Sequence, residues 1–385
     1  MSRRDSRGGL LVVAGEASGD RAAARVMTEL AELVPGRDPG AFGLGGPALQ
    51  AAGVNLVADL RHITALGISE VAARAVPIAL AHARIVNAAR KLRPRAAFLV
   101  NYSEFNTLLA GRLHAAGVRV LWYIAPQIWA WRASRAQTLR RAIDRMAVIL
   151  PFEEGLWQRA GVDAHYVGHP AREAPAMERR IARDALGLTP YASAVAILPG
   201  SRPHEVRAHL QIMLEAYERV RRDRASLDAR VLLAASLDAR TKSYAEAVAE
   251  AFRVPIFSVD AYAGATPVLG AFDAALSASG TAALEAALAR AVPVVVYRTG
   301  LVTELVARTC LTTKRISLPN ILLGRTAFTE LLQREADVPR VAKALVATLN
   351  SRRELLKACD EVEAILGLPR SPSKEVAGML APWLS

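Results

Sequence analysis

Cysteine is nearly absent. Cys310 and Cys359 are the two in 385 residues, which excludes a disulfide scaffold and a Cys-rich metal site and fits a reducing compartment, the cytosol by default. Long apolar runs are missing too. The uncharged apolar stretch at residues 120–131 contains Pro126 and Gln127 and falls short of the ~20 residues that cross a bilayer. The apolar run after the basic first residues is ended by Glu16 and Asp20 before it reaches signal-peptide length. Neither a membrane span nor a secretion signal is expected, so any membrane contact would be peripheral. Acidic residues are the minority charge, 36 against 49 Lys and Arg, for a formal net charge of +13. That balance suits polyanions, anionic lipid surfaces or phosphorylated substrates without choosing among them. His-Glu-x-x-His and Asp-x-Asp are both lacking, so no metal and no cofactor are expected, and a departing diphosphate would rely on Arg, Ser and helix ends.

What is present is the material of packed cores, with 52% hydrophobic and 22% charged residues in a chain long enough for two domains. Short runs of Val, Leu and Ile recur at 10–14, 97–100, 118–124, 146–150, 195–198, 231–234, 274–276 and 294–297, each followed by small turn residues and a helical pattern. This alternation predicts α/β architecture with parallel sheets buried on both faces. The rhythm pauses at 168–173, where a boundary is expected, and beyond about 338 the pattern is helical only.

Three segments share one grammar: LLVVAGEASGD (10–20), VAILPGSRPHEV (195–206) and ALSASGTAALE (275–285). Each predicts a strand, a Gly/Ser turn and a helix start, a setting in which free backbone N–H groups hold phosphate. Turn geometry alone also explains such residues. None of the three is a P-loop or carries the spaced glycines of a dinucleotide fingerprint, which weighs against ATP hydrolysis and hydride transfer. Arg202, directly after Gly200 and Ser201, is placed to clamp a pyrophosphate. Glu285, four residues after Thr281, is placed to accept from ribose hydroxyls, so the pair describes a nucleotide-sugar site, the alternatives being a surface ion pair for Arg202 and an ordinary helix position for Glu285. NYSEFN (101–106) puts Glu104 at a strand's carboxyl end, as an acid/base candidate or a helix-capping turn. In YIAPQIWAWR (123–132), Trp129 and Trp131 are core candidates with Gln127 and Arg132 beside them. Residues 63–80 form a nearly uncharged segment flanked by Arg and Lys, suited to an interface or to a buried helix.

With these residues in view, the chain resembles the lipid-A-disaccharide synthase family. The resemblance rests on GEASGD, GLGGPALQAAGV (43–54), LGISEV, APQIWAWR, LPFE (150–153), VGHP (167–170), LPGSRPHEV, ASGTAALE and SLPNILLGR (317–325), in one order over nearly the whole chain. It implies a GT-B fold, two Rossmann-like domains facing across a cleft with a C-terminal helix returning to the first. The expected bounds are 1–169 for the acceptor and membrane-facing domain, 170–345 for the UDP-sugar domain and 346–385 for the returning segment.

It also implies an inverting glycosyltransferase that moves 2,3-diacylglucosamine from UDP to 2,3-diacylglucosamine 1-phosphate, lipid X. The product is a β-1,6-linked disaccharide, and UDP is released. By matching motif, Gly200, Ser201, Arg202, Ser279, Gly280, Thr281, Glu285 and Asn320 would hold UDP, and Glu16 and Ser18 would face the reacting sugars. Leu66, Ile68 and Val71 would meet the acyl chains or the cytoplasmic face of the inner membrane. Where the family often has Asp-x-Pro-Asp-Phe-Asn this chain has Asn101 at the first acidic position, so Glu104 is the first candidate for the general base and Glu16 the second. A UDP-sugar epimerase or hydrolase of the same fold is the alternative enzyme. A non-catalytic nucleic-acid binder has the dispersal of Lys and Arg against it, so no nucleic-acid partner is expected. Homo-oligomerisation is left open.

Overall fold

The structure is a computed structural model that describes residues 8–36, 39–60, 71–129, 135–259, 264–278, 280–299 and 315–384, with the backbone alone at 71–75 and 135. Leu66, Ile68 and Ser279 lie outside the described residues, as does the side chain of Val71. Two compact units account for the chain: Met1–Glu173 with Pro369–Ser385, and Ala174–Leu368.

The first unit holds a seven-stranded parallel sheet in the order β3-β2-β1-β4-β5-β6-β7. Its strands are β1 (Leu10–Ala14), β2 (Phe42–Gly45), β3 (Asn55–Asp59), β4 (Ala96–Val100), β5 (Arg119–Tyr123), β6 (Arg145–Val148) and β7 (Ala164–Tyr166). The second holds a six-stranded parallel sheet in the order β10-β9-β8-β11-β12-β13. It consists of β8 (Ala194–Leu198), β9 (Asp228–Leu233), β10 (Ile256–Ser258), β11 (Ala274–Ser277), β12 (Val292–Tyr297) and β13 (Glu330–Leu332). β1 and β8 are buried along their whole length, because helices cover both faces of a parallel sheet. All eight runs expected as strands are strands. The five additional ones are short, and β3, β7, β10 and β13 are sheet edges, half exposed and poor in the apolar run that marks a central strand. β2 is FGLG, whose glycines hide it from a propensity reading.

In each sheet the chain winds one way from the first strand and then returns to its other side. The order reverses between β1 and β4, and between β8 and β11. Open α/β sheets bind ligands outside the strand carboxyl ends at such reversals.

Five helices matter to the first unit: α1 (Ala17–Leu33), α2 (Pro47–Ala51), α3 (Val71–Leu92), α4 (Ser103–Ala115) and α5 (Pro151–Arg159). In the second they are α6 (Pro203–Asp223), α7 (Thr281–Leu288), α8 (Leu318–Leu323), α9 (Val338–Asn350) and α10 (Arg352–Ile365), and α11 (Pro372–Leu384) belongs to the first. The returning segment is therefore shorter than 346–385. α10 turns Ala358, Cys359 and Val362 inward and packs on α7, α8 and β12, so its apolar stripe keeps it in the second unit. α11 alone returns, burying Val376, Ala377, Leu380 and Trp383 against α1. Burial of a large apolar side chain contributes roughly 1.5–3 kcal/mol. The Arg145 guanidinium lies 5.4 Å over the Trp383 ring and donates to Met379 O at 3.2 Å.

Glu173 closes the unit where the chain leaves and re-enters it. Its Oε1 accepts from both the backbone N–H and the hydroxyl of Ser373 at 2.6 Å, and its Oε2 lies 3.8 Å from Arg25.

Candidate active site

At the first reversal the turn after β1 meets the turn after β4. Glu16 precedes the first residue of α1 in extended conformation, and its Oε2 accepts from Asn101 Nδ2 at 3.4 Å. Asn101 and Tyr102 both have φ of +50°, a left-handed backbone that costs roughly 1–2 kcal/mol per non-glycine residue. Several contacts hold that strain. Asn101 N–H donates to Tyr123 O at 2.9 Å, and the buried Asn106 donates through Nδ2 to Asn101 O at 2.8 Å. The Tyr102 ring stacks on Phe105 at 5.1 Å and lies over Gly15, where a Cβ would come within 1.9 Å of Tyr102 Cγ. Gly15 is thus required by the tyrosine rather than by an anion. Ser18 and Glu104 are exposed on the first turns of α1 and α4. The site thus has a half-buried carboxylate, Glu16, touching the amide at the family's acidic position, and a second, exposed carboxylate on the adjoining helix start.

At the second reversal Leu198 O accepts from Ala278 N at 2.9 Å, drawing the exits of β8 and β11 together. Gly200 has φ of +123° and Gly280 +120° with ψ −150°, backbone that a side chain would strain. Thr281 is exposed at the start of α7 and Glu285 is half-buried one turn further in. The Arg202 side chain is 53% exposed, its Nη1 3.7 Å from Glu205 Oε1.

Two expectations change here. The N–H groups of Ser201 and Arg202 do not face an open anion site: both donate to Glu205 Oε2, at 2.9 and 3.2 Å. Glu205 stands at the third position of α6, where a carboxylate reaches back to cap the helix. The amides of this turn are thus taken up by the helix cap. Asn320 is not available to UDP either. It is fully buried, its Nδ2 donates to Phe328 O at 2.8 Å and Glu330 Oε1 at 2.7 Å, and its Oδ1 accepts from the N–H of Ala327 and Phe328, both at 2.9 Å. Those four bonds use the whole capacity of an amide side chain, so Asn320 ties α8 to the start of β13.

The match to known proteins spans this architecture. The profile of the family described as lipid-A-disaccharide synthetase matches residues 10–381. The chain belongs to that family. It is 41% identical to the lipid-A-disaccharide synthase of Anaeromyxobacter dehalogenans (strain 2CP-C) over 96% of this chain and 97% of the relative. It is 41% identical to that of Myxococcus xanthus (strain DK1622) over 93% of each. Among solved structures it is similar to the UDP-GlcNAc 2-epimerase of Neisseria meningitidis bound to UDP-GlcNAc, with a TM-score of 0.66 at 10% identity over 97% of this chain and 100% of that one. It is also similar to Acinetobacter baumannii MurG, with a TM-score of 0.56 at 13% identity over 98% and 99%. At such identities these two report the fold, which is of GT-B type. As a lipid-A-disaccharide synthetase, the chain is a glycosyltransferase.

The family's motifs also do structural work that their sequence does not announce. Asp20 of GEASGD accepts from the N–H groups of Gly46 at 2.7 Å, Ala48 at 3.0 Å and Leu49 at 3.3 Å, so it caps α2 from another helix. Gly46 is glycine for the same reason: a Cβ there would sit 2.7 Å from Asp20 Oδ2. Glu153 of LPFE is 1% exposed and accepts from Trp129 Nε1 at 2.9 Å and from Leu150 N–H at 3.2 Å. Burial pushes its carboxyl up to about 7. His169 of VGHP is buried, its Nδ1 accepts from Ala171 N–H at 3.1 Å, its Nε2 has no hydrogen-bond partner among the described residues, and burial lowers its pKa to about 4. The Glu205 cap has a local signal, a Glu three residues after the cap position. The Asp20 contacts and the bond between Glu153 and Trp129 carry no local signal, since those partners lie more than twenty residues away.

Among the described residues no group of three or more His, Cys, Asp or Glu is gathered as metal ligands would be, and no helix is long and apolar enough to cross a membrane.

Proposed function

We propose that the chain transfers 2,3-diacylglucosamine from its UDP donor to the 6-hydroxyl of 2,3-diacylglucosamine 1-phosphate, with inversion, giving the β-1,6-linked disaccharide 1-phosphate and UDP. Family membership supports the reaction class. The observation that carries the site assignment is the contact of Glu16 with Asn101 at the reversal between β1 and β4, since it puts a carboxylate beside the position where the family often has Asp.

In this reading Glu16 takes the proton of the acceptor hydroxyl as the new C–O bond forms, and Asn101 hydrogen-bonds the carboxylate and the acceptor. The anomeric C–O bond to the diphosphate breaks and its electron pair leaves on UDP. A positioned base typically contributes about 10²–10⁴-fold to such a step. Glu104 is the second candidate. Arg202 and the Ser201 hydroxyl meet the diphosphate charge, with Thr281 and Gly280 at the start of α7 and Glu285 toward the ribose. Ser279 belongs to the same turn by motif.

The acyl chains of both sugars bring the enzyme to the cytoplasmic face of the inner membrane as a peripheral protein. Two exposed apolar residues in the first half of α3, Val76 at 61% and Leu80 at 55%, and the net charge of +13 support that placement. Leu66, Ile68 and Val71 stay in the proposal as the neighbouring part of this segment.

The test is incubation of purified protein with UDP-diacylglucosamine and lipid X, with the products read by mass spectrometry. The disaccharide 1-phosphate and equimolar UDP are expected. An epimerised or hydrolysed donor without disaccharide would overturn the reading.

A further inference from the structure

The inward face of α6 is apolar, with Val206, Leu210, Met213 and Leu214 all buried, and His209 interrupts it. Its ring is fully buried, and its hydrogen bonds go to backbone beside the second reversal. Nδ1 is 3.0 Å from Pro199 O, in the turn that leads to Gly200 and Arg202. Nε2 is 2.8 Å from Arg298 N and 3.2 Å from Arg298 O, at the exit of β12. Pro199 O only accepts and Arg298 N only donates, so the neutral ring that serves both shorter contacts carries its hydrogen on Nδ1 and accepts at Nε2. The exit of β12 is gripped again from the other side: Arg298 Nε donates to Gln333 O at 3.1 Å and Thr299 N–H to Gln333 Oε1 at 3.0 Å.

β8 and β12 are the two neighbours of β11. A bridge between their exits therefore spans the exit of the strand that leads into Gly280, Thr281 and Glu285. A hydrophobic residue at 209 would fill the same face of α6 without the cost of burying an imidazole. What the imidazole adds is a fixed spacing between two turns that flank a third.

We propose that His209 is a positioning residue of the nucleotide site, holding the turn that carries Arg202 in register with the exit of β12 and so setting affinity for a uridine diphosphate moiety. This rests on the reading above that Arg202 meets the diphosphate. Because Glu205 occupies the amides of the turn, binding depends on where the Arg202 side chain and Ser201 hydroxyl are held. The clamp acts on those.

The experiment is calorimetric titration of UDP and donor kinetics on the full-length protein with His209→Leu, His209→Asn, His209→Gln, Arg202→Ala and, as a control of the same core, Leu210→Ala, each with a denaturation midpoint. His209→Leu is expected to weaken UDP at least tenfold and to raise KM for the donor more than it lowers kcat. His209→Asn can keep the Pro199 bond and His209→Gln the Arg298 bond, so each is expected to recover part of the loss. Leu210→Ala is expected to lose stability with UDP affinity within twofold of the parent. If His209→Leu does not fold, the Asn and Gln variants carry the test, with affinity below the parent expected of both. The clamp is overturned if the folded His209 variants bind UDP like the parent, or no more weakly than Leu210→Ala, while Arg202→Ala is impaired. If Arg202→Ala also binds like the parent, the nucleotide reading itself falls.

Discussion

The indole N–H of Trp129 donates to the buried carboxylate of Glu153 at 2.9 Å, and 16 residues further on His169 is buried, its Nε2 without a partner among the described residues. The two groups shift in opposite directions, Glu153 to about 7 and His169 to about 4. Between pH 4.5 and 7 the folded state keeps a proton on Glu153 that the unfolded chain has released, so this group destabilises the fold as pH rises. Between pH 4 and 6.5 the unfolded chain protonates a histidine that the folded state keeps neutral, so His169 stabilises the fold as pH rises. Each slope integrates to roughly 3 kcal/mol, and the two nearly cancel. Glu153→Gln is expected to leave a stability that climbs from pH 4.5 to 6.5, and His169→Gln one that falls over pH 4.5 to 7. Urea midpoints across that range check both, and parallel profiles in the two variants would contradict the assignment.

Replacing the proposed base should separate the two carboxylates at the first reversal. Glu16→Gln is expected to lower kcat by about 10²-fold or more with UDP affinity unchanged, and Glu104→Gln to cost less than tenfold. Asn101→Asp should be tolerated. A dead Glu104→Gln beside an active Glu16→Gln would move the base to α4.

Arg202 and Asn320 should part company between binding and stability. Arg202→Ala is expected to weaken UDP at least tenfold with an unchanged unfolding midpoint, since its side chain is half exposed. Asn320→Ala removes the partner of four groups around Phe328 and Glu330 and should cost about 2–4 kcal/mol of stability. Equal midpoints for the two variants would restore Asn320 to the nucleotide.

Asp20→Ala should cost about 1–3 kcal/mol, since it strips the N-terminus of α2 of its cap. Gly46→Ala should destabilise as well, because its Cβ meets the same carboxylate. In the double variant the clash is gone, so the two effects should sum to less than their parts, a coupling that denaturant titration measures.

The central strands and the turns that follow them were legible because continuous apolar runs and Gly/Ser turns are local signals. Edge strands were not, since β3, β7, β10 and β13 lack a two-sided apolar run. Residue types at the site were legible; their partners were not. Glu205 was not singled out, and its hold on the Ser201 and Arg202 amides follows from the turn geometry that Gly200 permits. Asn320 stood in a motif that suggested ligand contact, and the pairing that uses up its amide comes from residues 327–330, which the motif does not specify. The end of the second unit was misplaced because α10 and α11 are both amphipathic helices, and sequence periodicity says that a helix has an apolar stripe without saying which core receives it.

Because Glu173 and Ser373 join where the chain leaves the first unit and comes back, the second unit is an insertion in the first. During synthesis the 195 residues of the second unit, Ala174–Leu368, emerge between the two stretches of the first. At about 5–20 residues per second that interval is on the order of ten to forty seconds. At its end the second unit has all its parts, while α1 still waits with the face that Val376, Leu380 and Trp383 will cover in water. The first unit completes its packing only after the second has been translated.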